Sequence, residues 1–396
     1  MKPRQRFLTA LKHKEPDRVP QLIRWGKEIG ERLSQIFGVS GEDLGPRIGN
    51  DAIVCQVGIN ALMEMSVGNL SEGETFTSEW GVVYQRQSGF NNPIKHPIEK
   101  REDLDSFKWP NPNSPRRLDE IKRVMKKYHN DYVVIVDLSS SLYEASMAHL
   151  RGMENFILDS YDDPEWVGRV LDGLADYYST LGTHAVNEGV DIIRIGDDIG
   201  TQTGLLIPPE LWRQLVKPRL RRMIQSFKKA NPRIIILYHS CGDFSTVFDD
   251  LIELGVGFIS TMQPTGAQAD YAAIKKKFGD RLAFKGGLDT QQLLPHGSPT
   301  QIREEVKKLL RAYAPGGGYV FMPGHMLYQD VPTENIWAMM EALRDYGKYT
   351  LKKEQCPYCG GKVRVPHPPK FSPDDKYLRY RVALKKEAQL SEGDVH

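Results

Sequence analysis

Ile234-Ile235-Ile236-Leu237-Tyr238-His239-Ser240-Cys241-Gly242 reads as a buried strand that runs out into a reactive turn. Its apolar run is short, continuous and β-branched, as expected of a strand covered on both faces. His and Cys one residue apart, where the strand ends, can both turn toward one metal ion. A second strand end, Tyr319-Val320-Phe321-Met322-Pro323-Gly324-His325, offers a third ligand of a suitable kind. Zinc accepts imidazole nitrogen and thiolate sulfur, and three protein ligands leave one position open for chemistry. An arbitrary His-x-Cys is more often a buried thiol beside a hydrogen-bonded histidine. Placement on two strand ends of one barrel is what favours the metal.

The barrel is read from eight short apolar runs, at 19–25, 52–57, 132–138, 191–195, 234–238, 257–262, 282–285 and 319–322. Amphipathic stretches lie between most of them. Residues 165–187 carry Val167, Val170, Leu171, Leu174, Tyr178 and Leu181 at helical spacing, and 301–313 carry Ile302, Val306, Leu309 and Leu310. Strand–helix alternation implies parallel pairing, and eight units imply a closed (β/α)8 TIM barrel, with an open doubly wound sheet as the alternative. Barrel chemistry sits at the carboxyl ends of the strands. That rule selects Arg24, Gln56, Asp137, Asp197, Asp198, His239, Cys241, Gln263, Lys285, Asp289 and His325.

The chain of 396 residues fits one barrel with additions, over residues 1–350, followed by a tail at 351–396. The main insertion spans about 59–131, contains a hairpin at 77–85, and is expected to roof the site. A net charge of +2 suggests no nucleic-acid or membrane partner, and the lysine pairs and triplets read as solvated helix faces. No run of about 18 apolar residues is present. The amino terminus lacks the apolar core of a secretory signal, and four cysteines make no disulfide framework, so a cytoplasmic location is expected.

Five motifs in order carry a family resemblance over about residues 3–350. They are Arg4-Gln5-Arg6-Phe7-Leu8 with Glu15-Pro16-Asp17-Arg18-Val19-Pro20; Arg151-Gly152-Met153-Glu154; Gly196-Asp197-Asp198-Ile199-Gly200-Thr201-Gln202; Gly286-Gly287-Leu288-Asp289-Thr290; and Pro323-Gly324-His325 with Pro332-Thr333-Glu334-Asn335. Together they resemble the uroporphyrinogen decarboxylase superfamily, which implies the barrel independently. The superfamily holds both porphyrinogen decarboxylases and zinc methyltransferases that work with corrinoid proteins, and fold alone does not choose between them.

The site residues discriminate. A substrate with eight carboxylates calls for clustered arginines, and the decarboxylases place an Arg-Gln-Ala-Gly-Arg run after the first strand. This chain has Arg24-Trp25-Gly26-Lys27-Glu28 there, and Gln56-Val57 where the catalytic aspartate is expected. The methyltransferase branch, with His-x-Cys after the fifth strand and commonly a Cys in the Pro-Gly-x turn, is matched at His239 and Cys241, with His325 replacing the last Cys. Imidazole in place of thiolate leaves zinc a better Lewis acid, suited to an ether oxygen rather than a thiol. The resemblance therefore implies a substrate-side methyltransferase. It would pass a methyl group from a methoxylated aromatic to a cobalt(I) corrinoid on a partner protein. Methyl transfer to a thiol and porphyrinogen decarboxylation are the alternatives.

Some demethylating relatives use the spacing acid-x14-Glu-x20-His, present here as Asp289, Glu304 and His325. That set ranks second, since Glu304 falls inside a predicted helix. Asp197 or Asp198, Arg24, Gln263 and Lys285 are read as substrate-binding or catalytic, with Trp25 a stacking wall for a ring. In the tail, Cys356-Pro357-Tyr358-Cys359 is half of a zinc knuckle. His367 or a second subunit could complete it, the latter making a homodimer; free thiols are the other reading.

Overall fold

The computed structural model describes residues 1–39, 41–57, 71–87, 90–264 and 266–349. Its strands are β1 (Ala52–Gln56), β2 (Thr75–Thr77), β3 (Val83–Gln87), β4 (Phe90–Lys95), β5 (Val133–Ser140), β6 (Ile192–Gly196), β7 (Ile235–His239), β8 (Phe258–Met262), β9 (Ala283–Leu288) and β10 (Tyr319–Pro323). Seven of them form one parallel sheet in the order β1-β5-β6-β7-β8-β9-β10. Helices between the strands cover the outer face of that sheet and packed side chains fill its interior, which is why its strands read as unbroken apolar runs. The helices start where the sequence supplies caps. Asp163 accepts from the Trp166 amide at 3.0 Å ahead of Pro164–Asn187, and Ser298 and Gln301 cap each other's amides ahead of Pro299–Tyr313.

The expected first strand, at 19–25, is not a regular strand. It makes only isolated bridges, Gln21 to Phe321 and Trp25 to Leu327. Against β10 the pairing is ordinary, with Phe321 N donating to Pro20 O at 2.8 Å and Leu22 N to Phe321 O at 3.0 Å. Against β1 one backbone bond remains, from Asp51 N to Gln21 O at 2.9 Å, and side chains supply the rest of the ladder. Asn50 accepts from Ile23 N at 2.8 Å and donates to Ile23 O at 2.9 Å, and Asp51 accepts from Gln21 N at 2.9 Å. The segment thereby spans the two edges of the sheet and closes the barrel.

Alternation along the strands sorts the interior into two layers. The lower layer is apolar: Leu22, Ala52, Val133, Ile135, Ile192, Leu237, Phe258, Ala283 and Val320 cluster there, with Phe7 from helix Pro3–Leu11 against Phe258 at 6.1 Å. Two residues further along the strands come Arg24, Asp137, Arg194, His239, Ser260 and Lys285. Below the plug, Asp51 is fully buried and bound by Arg6 at 2.6 Å and Arg18 at 2.8 Å, while Asp17 holds Arg6 at 2.6 Å. The opening motif of the chain therefore latches the bottom of the barrel. The chain returns to this end as well: Val19 N donates to Gly347 O, and Arg18 bridges to Lys348.

The insertion holds the expected hairpin, Thr77 opposite Val83, and a third strand that the sequence reading missed. Trp80 is buried edge-on to Tyr177 at 4.8 Å, and the Tyr84 hydroxyl meets His149 Nδ1 at 2.9 Å. The described part of the insertion thus rests on the long helix Pro164–Asn187 and the turn before it. The stretch directly after β1, including Met63 and Met65, lies outside the described residues. Among the described residues no helix is long and apolar enough to cross a membrane.

Replacing Asn50 by Leu should cost roughly 2–4 kcal/mol, because both backbone groups of Ile23 lose their partner in a buried place. Denaturant unfolding followed by fluorescence would measure it. A loss below about 0.5 kcal/mol would show that closure does not depend on this side chain.

Candidate metal and substrate site

Two loops meet at the upper end of the barrel, and small residues let them touch. Gly242 has φ +72, and a Cβ there would collide with Gly200; one on Gly200 would strike the Cys241 carbonyl. Asp243 N donates to Thr201 O at 2.7 Å. The Ser240 hydroxyl accepts from the amides of Ile199 at 3.0 Å and Gly200 at 3.2 Å. The turn after β7 is thereby seated on the Asp-Asp-Ile-Gly loop after β6.

The result is a three-residue donor group, Asp198, His239 and Cys241, with their ligand atoms within 4.8 Å of one another. Among the described residues it is the group of this kind that the fold assembles. His239 Nε2 lies 3.8 Å from Cys241 Sγ and 3.6 Å from Asp198 Oδ1. Donors around a tetrahedral zinc stand about 3.3–3.6 Å apart, given metal–nitrogen and metal–sulfur bonds of about 2.0 and 2.3 Å. Nitrogen, sulfur and carboxylate oxygen are all zinc donors, so the residues present fit the metal. His239 Nδ1 is engaged by the Ser260 hydroxyl at 3.1 Å, which leaves Nε2 facing the other two. Burial, then the nearby arginines and Lys285, hold the imidazole well below its ordinary pKa, so it stays neutral and able to ligate. Burial, reinforced by Asp198, raises the Cys241 thiol; a bound cation would reverse that.

His239 and Cys241 come together as the sequence suggested, but Asp198 takes the third place. His325 lies in the same mouth, half-buried and stacked on Tyr328, with Nδ1 3.1 Å from the Tyr328 hydroxyl. It is not part of the three-donor group. The second-ranked set is dispersed. Glu304 is exposed and pairs with Lys307 at 3.3 Å, while Asp289 accepts from the amides of Gln291 and Gln292 at 2.7 and 3.1 Å. Gln263 accepts from Gly242 N at 2.6 Å, so it holds the Cys-Gly turn in place. Trp25 is half-buried and covers Gly30 at the rim. Cys356 and Cys359 lie outside the described residues.

Beneath the donors is a carboxylate layer that sequence reasoning found only in part. Asp197 is fully buried, accepts from Glu144 N at 2.7 Å, and has an Oδ2 without a partner. Desolvation pushes its carboxyl well above the ordinary range. Glu144 accepts from Ser140 at 2.7 Å and Asp198 N at 3.0 Å, and burial with the Asp198 charge raises it to about 7. Glu144 was missed because it sits in a helical turn after β5 and belongs to no motif. One strand over from Asp198, Asp137 on β5 is buried between Arg24, at 3.2 Å, and Arg194.

Comparison with known proteins sets this site in a family. Residues 2–346 match the model of the uroporphyrinogen decarboxylase (URO-D) family. A uroporphyrinogen decarboxylase of Chlorobaculum tepidum is 24% identical over 259 residues, 63% of this chain and 70% of that protein. Among solved structures, a methyltransferase from Methanosarcina mazei superposes with a TM-score of 0.63 at 21% identity, covering 87% of this chain and 99% of that one, which bears on the fold. The carboxyl-terminal segment has a different kinship. Residues 338–388 match the nucleolar RNA-binding protein Nop10p family, and the ribosome biogenesis protein Nop10 of Staphylothermus marinus is 55% identical over 49 residues, 12% of this chain and 73% of that protein. The chain belongs to the uroporphyrinogen decarboxylase family through its barrel and, through the segment at 338–388, to the Nop10 family.

Proposed function

We propose that the barrel is a methyltransferase that takes a methyl group from a methyl ether, a methoxylated aromatic, and passes it to the cobalt(I) corrinoid of a partner protein. The observation that carries the reading is the joining of Asp198 to His239 and Cys241 at the strand ends. In the transfer the methyl carbon leaves oxygen and bonds to cobalt, and the electron pair of the broken bond stays on oxygen. Stabilising that developing charge is the catalytic demand. A zinc ion on these donors would supply a Lewis acid at the ether oxygen. The chain's own residues prepare the place. Ser260 fixes the imidazole, Gln263 and Ser240 fix the turn, and Trp25 at the rim offers a face for a ring.

Methyl transfer to a thiol is less well supported, because the third donor is a carboxylate rather than a second thiolate. Porphyrinogen decarboxylation is disfavoured by the mouth itself, where Arg24 and Arg194 are both engaged with Asp137, too small a cationic set for a substrate with eight carboxylates. Incubating the protein with aryl methyl ethers and a reduced corrinoid protein should convert cobalt(I) to methylated cobalt, seen as an absorbance change. Coproporphyrinogen forming from uroporphyrinogen at an enzymatic rate, with no methylation of the corrinoid, would overturn the assignment.

The metal itself is open to a direct measurement. In the full chain carrying Cys356→Ser and Cys359→Ser, about one zinc per chain should remain, and adding Cys241→Ala or Asp198→Ala should remove most of it. His325→Ala should keep it. Zinc retained in Cys241→Ala but lost in Glu304→Gln would favour the dispersed ligand set instead.

A second role is supported by the Nop10 kinship. Residues 351–396 hold ten Lys and Arg against six Asp and Glu, although the whole chain is nearly neutral at +2. We infer that this segment binds RNA, replacing the expectation of no nucleic-acid partner that the overall charge suggested. Mobility shifts with a structured RNA should show binding that weakens with salt. Changing Lys352, Lys353, Arg364, Arg379 and Arg381 to Ala in the full chain should weaken it at least about 10-fold. Unchanged binding by that variant would refute the inference.

A further inference from the structure

Lys285 is a lysine in a place where lysines rarely survive. It faces inward on β9, beside Ser260 on β8 and Val320 on β10, and is 2% exposed. Its ammonium has no hydrogen bond or ion pair among the described residues. The charged groups that act on it are Arg194, Arg24 and Asp137. Asp137 is already taken, with one carboxylate oxygen bound by Arg194 and the other by Arg24. Arg194 adds a second loose end, since its Nε is buried and has no partner. Lys285 on β9 and Arg194 on β6 thus each keep a donor that no described group answers, with β7 and β8 between them. Burying a cation without a counter-charge is costly, and a hydrophobic residue of similar size would be the more stable choice. Lys285 is the third of the six residues of β9, in the layer just below the carboxyl ends of the strands where a barrel holds its ligands.

We propose that the substrate is an acid, and that one anionic group of it, a carboxylate, seats on Lys285 and Arg194 while its reacting end points to Asp198, His239 and Cys241. The spacing suits a substrate of one ring. His239, Ser260 and Lys285 are consecutive partners across β7, β8 and β9, so Lys285 stands two strand spacings from His239, about 10 Å at the backbone, while Arg194 on β6 reaches in from the other neighbour of β7. The carboxylate would accept from both donors and complete the pairing that Asp137 leaves open. A neutral methyl ether would leave Lys285 buried and unpaired, and a substrate with many carboxylates would exceed the two donors on offer.

This assignment deepens the proposed function by naming the substrate class, and it relies on that reading only for which end reacts. Binding therefore tests it without turnover or a corrinoid. Calorimetry on the full chain would compare a panel of methoxybenzoates and short alkyl carboxylates with the corresponding neutral amides. At least one carboxylate should bind roughly 10- to 100-fold tighter than its amide. Lys285→Met should abolish that preference, leave amide binding unchanged and, without ligand, melt at a higher temperature than the wild type. Lys285→Arg should keep the preference for the acid, and it stands in if the Met variant does not fold. Equal affinity for acid and amide, equal weakening of both by Lys285→Met, or no binding by any carboxylate of the panel would overturn the proposal. Selective carboxylate binding with no methyl transfer to corrinoid would instead leave the acid site standing and remove the methyltransferase reading.

Discussion

Closure of the barrel rests on two adjacent side chains, Asn50 and Asp51, which act as a strand edge for a segment that is not a regular strand. A parallel sheet of seven strands has two open edges, and a barrel has none. Here the eighth position is filled by backbone pairing on one side and, on the other, by a single backbone bond with a side-chain amide and carboxylate. Asp51 performs a second task at once, since the two arginines of the bottom latch converge on it. Register at that seam sets the height of Arg24, and Arg24 with Arg194 sets Asp137. The charge pattern of the mouth thus begins with two residues at its opposite end.

The site follows a similar economy. Glycine at 200 and 242 lets two loops lie against each other, and backbone amides donating to Ser240, Gln263 and Asp198 fasten them. The donors are held by backbone geometry more than by their own side-chain packing. Underneath, Glu144 and Asp197 share amides with the Asp198 loop, so a change in charge on any of the three carboxylates is felt by the others.

Much of the barrel was legible because buried parallel strands leave a strong imprint. Seven apolar runs became strands close to their expected bounds, and His239 and Cys241 sit together because a His-x-Cys at a strand end has little freedom to do otherwise. The first run failed as a strand because three of its four β1-side hydrogen bonds go to side chains, which no periodicity encodes. Asp198 was seen but given a substrate role, since its approach to Cys241 depends on a contact between residues 43 apart in sequence. Glu144 had no sequence signal. The Nop10 kinship escaped because two cysteines and a basic bias are shared by many short segments, whereas agreement over 49 residues is not.

The last helix has a consequence for geography. Thr333–Tyr346 belongs to the barrel and also overlaps the first residues of the Nop10 match. It delivers the chain to Lys348 and the buried Tyr349, beside Arg18 and Val19, at the end of the barrel where the strands begin. The donors stand where the strands finish. The two kinships of this chain thus join at the floor of the barrel, with the whole length of the strands between that junction and the mouth.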